Sequence, residues 1–241
     1  MATFLVQRVC PDFIPGGAFA VGAEEELFLL DSSGDLDPRS GGPLVDAVRQ
    51  AMAGTAGTVS SELFAAQIEF ATGICADAGA IASELGDFRD ALRRTGANAL
   101  AAGLHPTAPF GDAVLSTQPR HQAIGEGFAG LLRTPTAAFQ VHVGLPDERA
   151  ALLAYRGMRH RLAVVQALAS SSPYWHGRDS GMASGRWAVI NSYPRGGTPP
   201  ILHTWEEYAA LVEQVAGAAN VAEHTQIWWD ARLQPRLGTL E

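Results

Sequence analysis

Two glutamates near the start of the chain, Glu24 and Glu26, have a spacing that suits the binding of a cation. They belong to the apolar run FAVGAEEELFLLD (19–31), which ends at a turn signal and predicts a β-strand. Residues two apart in a strand project from the same face, so Glu24 and Glu26 would lie side by side while Glu25 points the other way. Two neighbouring carboxylates repel each other unless a cation neutralises them. The alternative is an edge strand whose acids are solvated on both faces.

Three further side chains could belong to the same kind of site. Glu62 and Glu69 stand among apolar neighbours in ELFAAQIEFAT (62–72), where an ionised carboxylate is costly to bury without a partner. His142 lies in FQVHVG and shares a strand face with Gln140; taken alone, such a histidine is more often a hydrogen-bonded structural residue than a ligand. Oxygen-rich sites with an occasional imidazole suit magnesium or manganese rather than zinc.

The basic residues limit the catalytic mechanisms that the chain can use, because all 17 are arginines and the chain contains no lysine. A P-loop needs a lysine on the phosphates, a protein-kinase site needs its strand lysine, and a Schiff-base enzyme needs a lysine amine. These mechanisms are excluded for this chain. Any phosphate that it handles must be neutralised by arginine and metal ions.

The overall composition points to a protein that acts on small molecules. A net charge of −8 and a pI near 5.3 argue against a nucleic-acid surface, which needs clustered Lys and Arg. No apolar run is long enough to span a bilayer and the N-terminus lacks a secretory leader pattern, so we expect no membrane contact and a cytoplasmic location. Cys10 and Cys75 stand in no zinc-binding spacing and are expected to be buried thiols.

The hydrophobic periodicity predicts long helices between single strands. Strands are expected over 19–31, in the second half of 62–72, over 136–144 and in two stretches around Pro235. Helices are expected over 43–52, from the capping residue Asp77 to about 102, from Pro146 to about 170, and over 204–219, where Thr204 and Glu207 form a capping box. The segment 171–200 predicts a long functional loop. Without regular βαβ spacing or a GxGxxG motif, an α+β domain with a mostly antiparallel sheet faced by helices is favoured.

Six motifs in order resemble one known family. They are GAEEEL (22–27), ELFAAQIEFAT (62–72), GLHP (103–106), QVHVG (140–144), SSPYWHGRDSGMASGR (171–186) and WWDARLQPRLGTLE (228–241). The chain resembles the type 2 glutamate–cysteine ligases and their carboxylate–amine ligase relatives, which share a glutamine synthetase-like catalytic fold. Each motif alone is weak, but together they extend along the chain.

The resemblance implies two magnesium or manganese sites and a reaction. Glu26, Glu62 and Glu69 would hold one ion, and Glu24, His142 and Glu241 would hold the other. ATP would phosphorylate a carboxylate, that of glutamate in the family, and an amine such as cysteine would displace the phosphate to give a γ-glutamyl amide. Arg186 and Arg232 are our candidates for binding phosphate or the substrate carboxylate through bidentate hydrogen bonds, with surface ion pairs as the alternative.

The resemblance also has limits that leave alternatives open. Family members continue past the GTLE strand and normally carry an arginine two residues after its glutamate, so 1–241 is expected to be a single catalytic domain without the family's C-terminal part. Ser-Ser-Pro and Ser-Gly-Arg stand where the family commonly has Asn-Ser-Pro and Ser-Tyr-Arg, which leaves the substrate open. The chain could instead be a non-catalytic metal- and nucleotide-binding subunit that needs a complementing chain or a homo-oligomer. A phosphotransferase related to the guanidino kinases is a third possibility.

Overall fold

A computed structural model describes residues 9–39, 41–111, 113–128, 133–219, 221 and 223–241. The chain divides into two compact units. The larger unit comprises Val21–Val141 and Ala167–Ser192, and the smaller unit comprises His142–Gln166, Tyr193–Glu241 and the described residues up to Ala20. Among the described strand pairs, only one short pair is parallel, and seven α-helices accompany the strands. The predicted α+β class with a mainly antiparallel sheet is confirmed.

The larger unit is built on an antiparallel sheet. Its elements are β1 (Val21–Leu30), α1 (Gly41–Ala51), β2 (Thr58–Ser61), β3 (Gln67–Ala71), α2 (Ala78–Arg94), β4 (Asn98–Leu100), α3 (Pro119–Phe128), β6 (Tyr174–Trp175), β7 (Arg178–Asp179) and α6 (Gly185–Asn191), with the start of β5 (Phe139–Gly144). Strand β1 pairs with β3 and β4, and β3 also pairs with β2. One face of these strands packs on α1 and α2 in an apolar core that includes Leu27, Leu29, Ile68, Phe70 and Phe88. The opposite face carries the acidic residues, because alternate residues of a strand point to opposite sides.

The middle glutamate of the EEE run points away from Glu24 and Glu26, as predicted, and the structure shows that it faces helix α2. Glu25 is only 4% exposed, and both of its carboxylate oxygens accept hydrogen bonds from Arg89 on α2, at 3.1 Å from Nε. An ionised carboxylate beneath a helix needs such a partner, since burial without one is costly. Because alternate residues of a strand point to opposite sides, Glu24 and Glu26 lie on the other face.

We expect Arg89→Met to destabilise the protein by about 2 kcal/mol, because it leaves Glu25 buried without its two charged hydrogen bonds. The cost should stay below that of breaking a fully buried pair, since the Arg89 side chain is 50% exposed. The matched control is Arg93→Met on the same helix, whose partner Asp90 is exposed and whose loss should cost under about 0.5 kcal/mol. Urea denaturation of both variants measures the difference, and equal effects would contradict the prediction.

Two predicted helices have different ends in the structure. Helix α2 begins after Asp77, whose side chain accepts from the Ala80 N–H as expected, but it ends at Arg94 and not near residue 102. Gly96 has a φ of +75°, a conformation that stops a helix and favours glycine. The predicted helix from Pro146 to about residue 170 is two helices, α4 (Glu148–Arg159) and α5 (Leu162–Ala169). The expectation that 171–200 is one irregular loop was also wrong, because it contains the β6–β7 hairpin and α6.

The smaller unit has its own core around helices α4 and α7 (Trp205–Ala219). Its strands are the end of β5, the parallel pair β8 (Gly196–Gly197) and β9 (Trp228–Trp229), and β10 (Leu233–Gln234) and β11 (Thr239–Leu240), which pair as a hairpin around Pro235. Helix α7 has one half of the predicted capping box, because Thr204 Oγ1 accepts from the Glu207 N–H. The Glu207 carboxylate accepts from the His203 N–H, one residue before the capping residue.

Two other sequence predictions can be compared with the structure. Cys10 and Cys75 are buried thiols and form no disulfide with each other, as expected. Among the described residues, no helix combines the length and the apolar composition needed to cross a bilayer.

Candidate active site

Glu26 and Glu69 are direct neighbours across two strands of the larger unit. The antiparallel register of β1 and β3 places them opposite each other, a position in which Cβ atoms are about 5 Å apart. Each carboxylate is held by a donor: the Ala138 N–H donates to Glu26 Oε2 at 2.8 Å, and the Ser60 hydroxyl donates to Glu69 Oε1 at 2.9 Å. Two like charges at such a position destabilise a sheet unless something compensates them. The strand register therefore places the two carboxylates next to each other.

Glu62 is positioned by the chain segment on either side of it. It follows β2 directly, and the adjacent Leu63 accepts a hydrogen bond through its carbonyl from the Ser116 N–H at 2.9 Å. On the other side, the Ser61 hydroxyl accepts from the Gln118 side-chain amide. These contacts hold the turn after β2 against the segment before α3.

The electrostatics of Glu26 show that these carboxylates lie close together. Its pKa is raised to about 8, first because burial disfavours the charged form, and further because of the negative charges of Glu62 and Glu69. The Arg186 guanidinium and the Ala138 N–H act in the opposite direction. Three carboxylates and one arginine thus share one region of the larger unit, and at neutral pH the group tends to retain a proton.

Arg186 reaches this region from the start of helix α6. Its backbone N–H donates to Ser172 Oγ at 3.2 Å. Gly103, the first residue of the GLHP motif, leaves room for it, since a Cβ at that position would lie 3.0 Å from Arg186 Cδ. His105 of the same motif is 4% exposed and structural: Nε2 bonds to the Gly34 carbonyl at 2.9 Å and Nδ1 accepts from the Ala108 N–H.

A second charged group lies in the smaller unit. Arg232 donates to both carboxylate oxygens of Glu241, at 3.0 Å from Nε and 2.7 Å from Nη2, while Nη1 donates to the carbonyls of Thr225 and Ile227. His142 Nε2 lies 3.9 Å from Glu241 Oε2. Burial alone would raise the pKa of Glu241, but Arg232 and the Gln234 amide outweigh it and hold that pKa below its ordinary value. Glu241 is therefore an ionised, well-oriented carboxylate.

The predicted site residues thus form two groups in the two units. Glu26, Glu62, Glu69 and Arg186 come together in the larger unit, and Glu24 lies half-buried on the same face of β1 as Glu26. His142, Arg232 and Glu241 come together in the smaller unit, where His142 Nδ1 also pairs with Thr239 Oγ1 at 2.9 Å.

The larger-unit group fits a divalent cation on chemical grounds. As the side chains stand, the described ranges hold no group of three or more His, Cys, Asp or Glu residues already poised to bind a metal ion. The negative charges of Glu62 and Glu69 nevertheless help to raise the pKa of Glu26, and a cation relieves the same repulsion that the proton on Glu26 relieves. An all-oxygen set of this kind suits magnesium or manganese.

Several contributors were missed at the sequence level. Ser60 and Gln234 each donate to a site carboxylate, and the Ala138 backbone holds Glu26. Only Gln234 had a local signal, since it is two residues from Arg232 and therefore shares its strand face. Ser60 could be found only from the β2–β3 register, which places it opposite Glu69.

Comparison with known proteins identifies the family. Residues 20–241 match the model of glutamate-cysteine ligase family 2. A Rubrobacter xylanophilus protein with the provisional name glutamate–cysteine ligase 2-3 is 33% identical over 92% of this chain and 62% of its own length. A Haloquadratum walsbyi protein named glutamate–cysteine ligase is 32% identical over 92% of this chain and 62% of its own length. The chain spans about 60% of these relatives, and it belongs to glutamate-cysteine ligase family 2.

Proposed function

We propose that the protein is an ATP-dependent carboxylate–amine ligase that forms a γ-glutamyl amide through an acyl phosphate. The observation that carries this proposal is the group that Glu26, Glu62 and Glu69 form with Arg186 in the larger unit. The names of the relatives support glutamate and cysteine as the first substrates to test. The proposal includes a glutamine synthetase-like sheet, one catalytic domain formed by both units, and a cytoplasmic location.

In this proposal the acidic residues hold magnesium or manganese. Glu26, Glu62 and Glu69 would bind one ion, and Glu24, His142 and Glu241 would bind the other. When bound, these ions would neutralise the phosphate charges of ATP and polarise the γ-phosphoryl group. Arg186 would add positive charge at the same place, which matters in a chain without lysine.

The chemistry requires activation of the carboxylate before an amide can form. A free carboxylate is a poor acyl donor, because its leaving group would be oxide. Transfer of the γ-phosphoryl group from ATP to a carboxylate oxygen releases ADP and converts that leaving group into phosphate. The amine nitrogen then forms the C–N bond and loses a proton as phosphate departs. Phosphoryl transfer depends mainly on positioning and charge neutralisation, which carboxylate-held cations and arginine supply.

Arg232 has a narrower role in this proposal than the sequence alone indicated. Four of its five N–H groups are engaged, two by Glu241 and two by the backbone carbonyls of Thr225 and Ile227. We therefore assign it mainly to positioning Glu241. Contact with phosphate or a substrate carboxylate remains a proposal for its fifth N–H.

The test is ATP- and Mg²⁺-dependent phosphate release by this chain with glutamate and a panel of amines that includes cysteine. We expect release that requires glutamate, the metal ion and one amine together, with the corresponding γ-glutamyl amide found by mass spectrometry. Release with another amine but not with cysteine would replace the glutamate–cysteine assignment and keep the ligase. Phosphate transfer to a guanidino acceptor without amide formation would favour a phosphotransferase.

The second candidate is a metal- and nucleotide-binding subunit that needs another chain for turnover. The chain spans about 60% of the length of the relatives it matches, so turnover by this chain on its own is what the experiment has to decide. Binding of Mg²⁺ and ATP without phosphate release, followed by release when the remaining part of a relative is added, would favour this candidate over a self-sufficient ligase.

A further inference from the structure

Gln67 is a buried polar residue on the acidic face of the larger unit. It is 1% exposed and begins β3, two residues before Glu69. Residues two apart in a strand share a face, and the register places Gln67 opposite Phe28, which is itself two residues from Glu26. Gln67 is therefore the next position along the sheet from the Glu26 and Glu69 pair.

The orientation of the Gln67 carboxamide is fixed by its neighbour. Its Nε2 donates to the Thr136 carbonyl at 2.7 Å. A carbonyl can only accept hydrogen bonds, so the nitrogen must face Thr136 and the oxygen Oε1 must face away from it. Among the described residues, no donor reaches this buried oxygen.

A buried acceptor without a donor costs about 1–3 kcal/mol, and native proteins rarely leave one without a reason. A methionine or leucine of similar size would fill the space without that cost. The Thr136 contact explains the amide nitrogen but leaves the oxygen unexplained. The position of Gln67 beside the acidic residues indicates that the missing donor belongs to a ligand of that site.

We propose that Gln67 is a further residue of the cation site, and that its Oε1 accepts a hydrogen bond from a water molecule coordinated to the ion held by Glu26, Glu62 and Glu69. This inference rests on the proposed function. Mg²⁺ is six-coordinate and usually keeps several waters, so three carboxylates leave positions for them. Coordinated water is a strong donor that needs an acceptor, and such outer partners orient the ligands of metal sites.

The test measures the Mn²⁺ affinity of the Gln67→Met and Gln67→Glu variants in the absence of nucleotide and amino acid. The electron paramagnetic resonance signal of free Mn²⁺ gives the unbound concentration in each solution. We expect Gln67→Met to weaken Mn²⁺ binding about tenfold to a hundredfold, the usual effect of losing such a partner. Gln67→Glu keeps an acceptor oxygen for the water and adds a negative charge that attracts the ion, but it loses the hydrogen bond to the Thr136 carbonyl, so its affinity should lie clearly above that of Gln67→Met. Unchanged affinity in Gln67→Met, or an equal loss in both variants, would overturn the inference.

The matched control is Ile68→Val, which alters the next side chain on the opposite, core-facing side of β3. It should lower the stability by about 1 kcal/mol and leave Mn²⁺ affinity unchanged. If the original protein binds no Mn²⁺, the proposed cation site fails and this inference fails with it. If the original protein and Gln67→Met bind Mn²⁺ equally, only the role of Gln67 is rejected.

Discussion

Glu69→Gln is expected to abolish ATP- and Mg²⁺-dependent phosphate release, with a loss of about a hundredfold or more. The change removes one of the three carboxylates of the Glu26, Glu62 and Glu69 group and substitutes a neutral amide for a proposed ligand. A bound cation supplies several kcal/mol of charge stabilisation in phosphoryl transfer, and about 1.4 kcal/mol corresponds to a factor of ten in rate. The amide is nearly isosteric, and its oxygen can still accept from the Ser60 hydroxyl. The fold should therefore remain intact.

Three measurements separate a lost ligand from a damaged fold. Circular dichroism and urea denaturation should show a native variant, while Mn²⁺ affinity should fall together with phosphate release. Glu126→Gln, a change of the same type at an exposed position on α3, should alter neither quantity. Full phosphate release by Glu69→Gln would remove Glu69 from the site.

Most of what the sequence could predict about the site followed from the alternation of side chains in β1. It placed Glu24 and Glu26 on one face and Glu25 on the other, and the structure has this arrangement because alternation follows from strand geometry alone. The partner of Glu25 could not be predicted in the same way. Arg89 is 64 residues away, and any of several arginines on α2 could have served.

The way the site residues come together depends on strand register, which cannot be read from the periodicity of one strand. Glu69 was recognised as an acid in an apolar setting, but only the pairing of β1 with β3 places it opposite Glu26. In the same way, Arg232 and Glu241 meet because the β10–β11 hairpin brings their backbones together, with each N–H donating to the other's carbonyl at 2.9 Å. Local periodicity predicts which residues share a face of one strand, whereas pairing between strands depends on the whole sheet.

Helix ends were the least predictable part of the fold. The apolar spacing after Asp77 continues well past Arg94, so periodicity alone extends α2 into what is β4. The structure ends the helix where Gly96 adopts a positive φ and where Asn98–Leu100 gains strand hydrogen bonds with β1. Pairing with a sheet edge thus overrides a weak helical preference.

The raised pKa of Glu26 predicts that the cation-free protein loses stability as the pH rises. The folded-state pKa of about 8 lies above the model value of 4.5, so the folded protein binds this proton more tightly than the unfolded chain. The resulting stabilisation is fully present below about pH 4.5, declines above it and is lost as the pH passes through about 8. Its size is on the order of a few kcal/mol, and the titration belongs jointly to the neighbouring carboxylates.

Glu26→Gln should therefore be more stable than the original protein at pH 9 in the presence of EDTA, and about as stable near pH 4.5. The variant carries a neutral side chain at every pH, so the repulsion from Glu62 and Glu69 no longer grows as protons leave. Urea denaturation across this pH range measures the difference, and Glu126→Gln should follow the original protein throughout. Adding Mg²⁺ at pH 8 should stabilise the original protein more than Glu26→Gln, because a cation replaces the proton only where the third carboxylate is present. Parallel pH profiles for the original protein and Glu26→Gln would show that Glu26 ionises normally and that the three carboxylates do not form the proposed cation site.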